Sequence, residues 1–290
     1  MRSFSETALA SFATPAEAVR THWREYLMEA AELGALMFSI CLFGSMLYST
    51  ASPLHTVALS LSVKALLMGI AVAATTFLII RSPFGRRSGA HFNPAITLTY
   101  WWLGRIHGRD AAFYVVGQFA GAVAGVLLAR EVLGLRLSAV PVRYVVTTPG
   151  NYGTLTAFAA EFFLAAVLMG VVLFATNHRK LARFSPLLVA SVTVFYYAGC
   201  ASISGFSVNP ARTFSSALFA WVWHGIWIYF AAPSLGMLTA AFIYIRSMGA
   251  GSVYCAKIFH DLETPCPFPC RFDRLQREIT SHTAEPAQQG

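Results

Sequence analysis

The sequence predicts an all-α membrane protein: six membrane-crossing helices and two re-entrant half-helices, arranged as an inverted repeat. Three observations predict it. The 290-residue chain is 56% hydrophobic and only 12% charged, where a soluble domain carries about 25% charged residues. Six apolar runs are long enough to cross about 30 Å of hydrocarbon. A motif, Ser88-Gly89-Ala90-His91-Phe92-Asn93-Pro94-Ala95, returns 116 residues later as Ser204-Gly205-Phe206-Ser207-Val208-Asn209-Pro210-Ala211.

The elements follow in order. Residues 1–23 are polar and mixed; they predict a surface arm and carry no secretory signal pattern. Spans are expected over residues 24–47, 57–80, 111–133, 155–176, 184–201 and 225–245. The stretches 94–103 and 210–219, each following an Asn-Pro-Ala, are too short to cross. Pro at the first helical position with Asn before it is a helix N-terminus signature, so each starts a half-helix. The channel domain covers 24–248, as repeats 24–134 and 154–248 around a Pro/Gly-rich loop, with a polar tail at 249–290. Each repeat has an odd number of spans, so the second enters the membrane inverted.

Charge sets the orientation. With both termini cytoplasmic, 16 of the 21 Lys and Arg residues fall on the cytoplasmic side, and Arg130, Arg136 and Arg143 fall outside. This pattern accounts for the net charge of +8 without a nucleic-acid partner. A multi-pass protein of the plasma or inner membrane is expected, with the lipid bilayer as its partner.

Irregular backbone is tolerated in hydrocarbon only where it is buried or lines a watery cavity. Two re-entrant loops therefore imply a pore. Half-helix N-termini facing each other place two partial positive charges at mid-membrane. Asn93 and Asn209 cap these helices and turn amide N–H groups to the lumen, orienting a water so that a proton wire is disfavoured. Arg212, one turn into the second half-helix, adds a fixed charge that excludes cations, hydronium included.

With Asn93-Pro94-Ala95 and Asn209-Pro210-Ala211 go Ala31-Glu32-Leu33-Gly34, residues 117–122 (GQFAGA), Ala160-Glu161-Phe162-Phe163 and residues 227–233 (WIYFAAP). On these the chain resembles the aquaporin and major-intrinsic-protein family over about residues 25–248. The resemblance implies a right-handed helical bundle, one pore per subunit and a homotetramer. It implies that Glu32 and Glu161 support the re-entrant loops, with Glu29 a rival to Glu32. It also implies a four-residue filter: Tyr197, Phe206, Arg212 and a span-two residue, Met68 by alignment on Gly69 or Ala73 by ungapped counting, with Met68 preferred.

A water-selective filter in this family has Phe, His, a small residue and Arg. The aromatic ring here departs from that. Glycerol channels place Asp after the Arg, whereas this chain has Thr213; Ala217 and Tyr229-Phe230 resemble the water channels. The expected function is passive passage of water and small neutral solutes, with glycerol, ammonia and hydrogen peroxide as alternatives. No catalytic set stands at useful spacing, so no enzyme is expected, and transport requires no cofactor.

The tail stands apart. Cys255, His260, Cys266 and Cys270 offer three thiols and an imidazole to Zn or another thiophilic metal. The competing reading is free or lipidated thiols. A metal- or redox-responsive membrane protein with this tail as sensor is therefore the second functional reading. An ion-coupled transporter is a third, opposed by Arg212. His91 is expected near the cytoplasmic vestibule, chiefly packing its loop.

Overall fold

The computed structural model describes residues 14–57, 59–261, 263–273 and 275. The expected arm through residue 13 and the tail beyond 275 lie outside the described residues, with Arg2, Arg274 and Arg277.

Ten α-helices follow one another among the described residues: α1 (Pro15–Tyr48), α2 (Leu61–Arg81), α3 (Pro83–Ser88), α4 (Pro94–Trp102), α5 (Gly108–Leu133), α6 (Leu135–Ser138), α7 (Gly153–Asn177), α8 (Ser185–Ser204), α9 (Pro210–Ala220) and α10 (Ile226–Met248). Six of them, α1, α2, α5, α7, α8 and α10, are long and apolar enough to cross a membrane. The even number returns both ends of the bundle to one face, here called the terminal face; the other is the far face.

The first helix reaches further back than the sequence reading put it. Residues 15–23 are helical rather than an arm, because Thr14-Pro15-Ala16-Glu17 forms an N-terminus: the Thr14 hydroxyl accepts from the Glu17 amide at 3.2 Å, with Pro15 in the first turn. His22 leaves helical geometry (φ −122°, ψ 17°), so the straight crossing part begins beside Arg24. The loop expected over 81–87 also contains a turn of helix, α3, started by Ser82 and Pro83 and ended by Gly89 at φ 101°.

Side-chain size decides how the helices pair. α1 lies along α5 and α7 along α10, and α2 crosses to α8 between the repeats. A methyl group on Gly121 or Gly125 would run into the carbonyls of Ala30 and Gly34, and one on Gly236 into the carbonyl of Phe162. Lipid tails are as apolar as the helices, so close backbone approach replaces hydrophobic burial as the driving force here. The outward faces carry Leu66, Ile70, Leu78, Val116, Leu128, Phe163 and Phe242, all exposed. Water penalises such a surface and hydrocarbon accepts it.

The tail does not trail away. Val253, Cys255, Ala256, Ile258 and Phe268 are buried in the same apolar core as the helices. Residues 253–261 and 263–272 fold back across the terminal face.

Candidate functional site

Two half-helices, α4 and α9, meet end to end at the centre of the bundle. Asn93 Oδ1 accepts from the Ala95 amide at 2.9 Å, and Asn209 Oδ1 from the amides of Ala211 (3.1 Å) and Arg212 (3.2 Å). The remaining amide nitrogens reach across the repeat axis. Asn93 Nδ2 donates to the Val208 carbonyl and Asn209 Nδ2 to the Phe92 carbonyl, both at 2.8 Å. Each side-chain amide has two N–H donors, so this exchange leaves one on each for the space between the helices.

The carbonyls are presented by backbone in the left-handed region. Phe92 (φ 29°) and Val208 (φ 47°) stand at matched positions, as do Ala90 (φ 57°) and Phe206 (φ 44°). Non-glycine residues there cost about 1–3 kcal/mol each and need surrounding structure to hold them. Carboxylates supply it. Glu161 accepts from Ser207 N (2.9 Å), Val208 N (2.7 Å) and Ser204 Oγ (2.7 Å). Tyr114 and Tyr229 donate to the carbonyls of Ser88 (2.7 Å) and Ser204 (2.6 Å), one in each repeat.

In the first repeat the bonds to the loop are divided between Glu32 and its rival Glu29. Glu29 accepts from His91 N (2.9 Å), Phe92 N (2.7 Å) and Gln118 Nε2 (2.8 Å). Glu32, on the same helix face three residues on, accepts only from Ser88 Oγ at 2.7 Å, and its second oxygen has no partner among the described residues. The backbone amides point at Glu29, one turn nearer the helix start. Two glutamates share the work that Glu161 does alone.

A cavity of about 70 Å³ runs between the half-helix ends, room for a few waters. Asn93 and Asn209 line its middle. Above them stand Arg212, Tyr197 and Phe206; the aromatic pair packs edge to face with centroids 4.8 Å apart. Arg212 is 3% exposed, and its Nη1 has no hydrogen-bond partner among the described residues. The α2 wall is Val72 and Thr76. Met68 lies one turn farther along that stripe, buried in the core and off the cavity wall; Ala73 sits off the stripe. The structure thus brings Tyr197, Phe206 and Arg212 to one cavity, and Met68, buried on α2, is not among the residues that line it.

The cavity is also lined by a residue the sequence reading did not single out: Ile258 of the tail. Its amide donates to the Gly89 carbonyl at 3.0 Å and its carbonyl accepts from Ser185 Oγ at 2.6 Å. His91, expected to face the vestibule and pack its loop, is buried against this strap. Its Nε2 lies 2.8 Å from the Ala256 carbonyl and its ring stacks on Phe268 at 5.5 Å. No periodicity marks Ile258 as pore-facing, so sequence offered no signal for it.

The four tail ligands are also brought together. Cys255, His260, Cys266 and Cys270 place their ligand atoms within 4.8 Å of one another. Burial pushes the Cys255 thiol well above its usual value, whereas hydrogen bonding from Cys255 and Cys266 holds Cys270 far below its own.

Comparison with known proteins agrees with this architecture. Residues 17–244 match the family model described as Major intrinsic protein. A probable aquaporin NIP-type from Nicotiana alata is 34% identical over 56% of this chain and 60% of its own length. Aquaporin NIP1-2 from Arabidopsis thaliana is 30% identical over 61% of the chain and 62% of its own. The chain thus spans about three fifths of these relatives. Aquaporin Z from Rhodopseudomonas palustris is 29% identical over 76% of the chain and 91% of its own. The X-ray structure of the aquaglyceroporin from Plasmodium falciparum superposes with a TM-score of 0.65 at 20% identity, covering 78% of this chain and 97% of that one. With six crossing helices and two opposed half-helices already in place, the match settles the family: this chain is a multi-pass membrane protein and belongs to the major intrinsic protein family.

Proposed function

We propose that the protein is a passive channel for water and small neutral solutes that excludes protons and ions. One observation carries the reading. The cavity between the opposed half-helix N-termini holds an unpartnered guanidinium nitrogen of Arg212 beside two asparagine amides with a donor to spare. A buried donor without a partner costs about 1–3 kcal/mol unless something else accepts from it. A passing water or hydroxyl oxygen does so, and leaves again because no single contact is strong. The fixed charge repels cations, and the two asparagines interrupt a continuous chain of donated hydrogen bonds.

Asn93, Pro94, Ala95, Asn209, Pro210 and Ala211 form the constriction in this reading, and Tyr197, Phe206 and Arg212 the filter on the far side. Phe206 replaces a small residue, which narrows the lumen and makes its wall apolar, so water passes more readily than larger hydroxyl compounds. The relatives named as aquaporins support this, and the aquaglyceroporin keeps glycerol in view. The basic residues Arg81, Arg86 and Arg87 beside α3 support a cytoplasmic terminal face in the plasma or inner membrane. The family resemblance supports a homotetramer with a pore in each subunit.

Stopped-flow light scattering on proteoliposomes tests the reading. Sucrose is expected to shrink them faster than empty liposomes. Slow or absent re-swelling in glycerol marks a water channel, and rapid re-swelling a polyol facilitator. A sucrose rate equal to that of empty liposomes, in the wild type and in Ile258→Ala alike, counts against the channel.

A further inference from the structure

We infer that Cys255, His260, Cys266 and Cys270 bind one tetrahedral thiophilic metal ion, zinc in the first place, and that the ion staples the tail across the terminal mouth of the cavity. The closure half of this inference rests on the channel reading; the metal half does not.

The geometry fits a single ion. Zinc takes sulfur at about 2.3 Å and nitrogen at about 2.0–2.1 Å, which sets tetrahedron edges of roughly 3.4–3.8 Å. Here Cys255 Sγ and Cys266 Sγ are 3.4 Å apart, and His260 Nε2 and Cys270 Sγ 3.2 Å. All four ligand atoms lie within 4.8 Å, too compact for an iron–sulfur cluster, whose cysteines stand around several metal atoms. The outer contacts also suit a metal. His260 Nδ1 lies 2.7 Å from the Asp261 carbonyl, which fixes the ring with Nε2 as the free lone pair. Phe272 stacks on that ring at 4.2 Å, and its amide donates to Cys270 Sγ at 3.4 Å.

Charge is matched too. Three thiolates, a neutral imidazole and a divalent ion sum to one negative charge, the thiol protons leaving to solvent. Arg105 is buried beside Cys255 and Cys270, with its Nε unpartnered among the described residues. It is the counter-charge such a site needs.

The site is built into a strap. Between its first two ligands the chain passes through Ile258, which lines the cavity; in this inference it is the residue that closes the mouth. Lys257 Nζ donates to the carbonyls of Thr264 (3.4 Å) and Pro265 (3.0 Å), and Arg86 pairs with Asp261 at 3.2 Å. Phe268, between the last two ligands, lies on His91 of the first Asn-Pro-Ala loop. An ion joining residues 255, 260, 266 and 270 would close this loop on itself with Ile258 inside it. Losing the ion frees the strap and opens the mouth.

The test uses the full-length protein in detergent and in proteoliposomes. Metal analysis after zinc exposure is expected to find one ion per chain, and Co2+ to give a tetrahedral visible spectrum with thiolate charge transfer. Both are lost in Cys266→Ser and Cys270→Ser and kept in Cys200→Ser. Stripping zinc with a membrane-permeant chelator is expected to raise the water permeability of the wild type several-fold, as Ile258→Ala does with its metal still bound. Absence of metal, or recovery of Cys255 and Cys266 as a disulfide, overturns the site. Metal bound with permeability unchanged by both chelation and Ile258→Ala overturns the strap. A protein that loads Co2+ yet conducts in no form, stripped or mutated, overturns the closure together with the channel reading and leaves the metal site standing.

Discussion

The two repeats share one backbone and divide the labour. Sliding the first Asn-Pro-Ala loop 116 residues forward lays Ala90 on Phe206, His91 on Ser207, Ile96 on Arg212 and Thr97 on Thr213. The backbone features coincide: Gly89 and Gly205 turn left-handed, and Asn93 and Asn209 cap and cross-donate. The side chains do not. The second loop turns Phe206 and Arg212 into the cavity and closes its own polar groups among Ser207, Thr213 and Thr147. The first places an apolar Ile96 on the cavity wall and uses His91 to receive the tail. Thr97 Oγ1 then bonds inward to His91 Nδ1 (3.1 Å) and Gln118 (2.9 Å). Symmetry builds the meeting of the two half-helices, and its local violation gives one loop a charged, aromatic lining and makes the other a docking surface for the tail.

The largest effect is expected where the repeats differ in their support. Glu161→Ala leaves the amides of Ser207 and Val208 buried without acceptors, at about 1–3 kcal/mol each. Glu29→Ala does the same to His91 and Phe92, but Glu32 stands three residues away with a free oxygen. Thermal unfolding in detergent should show Glu161→Ala as the more damaging of the two. Equal losses, or the reverse order, would mean that Glu32 does not stand in for Glu29 at the amides of His91 and Phe92.

This division also marks how far sequence reasoning reached. The six spans, the half-helices and the inverted repeat were legible because hydropathy, Asn-Pro capping and loop charge are local signals with one physical meaning in a bilayer. Arg212 was legible for the same reason: a charge placed by a helix start has one direction to face. The choice between Glu29 and Glu32 was not, because two carboxylates on one helix face are told apart only by where a loop from elsewhere presents its amides. Thr14 and Glu17 did carry a capping signal, overlooked beside the polar composition around them. Ile258 had none: its burial comes from backbone bonds to Gly89 and Ser185, far away in sequence.

A smaller but sharper test sets Arg212 against its counterpart. A unit charge 4 Å from a passing cation contributes about 1 kcal/mol in bulk water and about 4 kcal/mol at an effective dielectric of 20. Arg212→Ala should therefore raise proton leak, read with a pH-sensitive dye inside proteoliposomes, by roughly five- to a thousand-fold. Ile96→Ala should leave it unchanged. A leak that rises equally in both variants would place proton exclusion at the asparagines alone.

The smallest expected change in stability separates backbone from lumen. Ala90 and Phe206 both hold left-handed φ values, 57° and 44°, which glycine adopts without a steric penalty. Ala90→Gly and Phe206→Gly should each relieve that strain, offset by the extra freedom glycine has in the unfolded chain, so unfolding temperatures move little in either. Only Phe206 lines the cavity and packs on Tyr197. Glycerol uptake should thus rise in Phe206→Gly and stay at the wild-type rate in Ala90→Gly. If both variants admit glycerol, the size limit lies in the stiffness of the two loops; if neither does, it lies in another part of the wall, with Val72 and Thr76 of α2 the next residues to shorten.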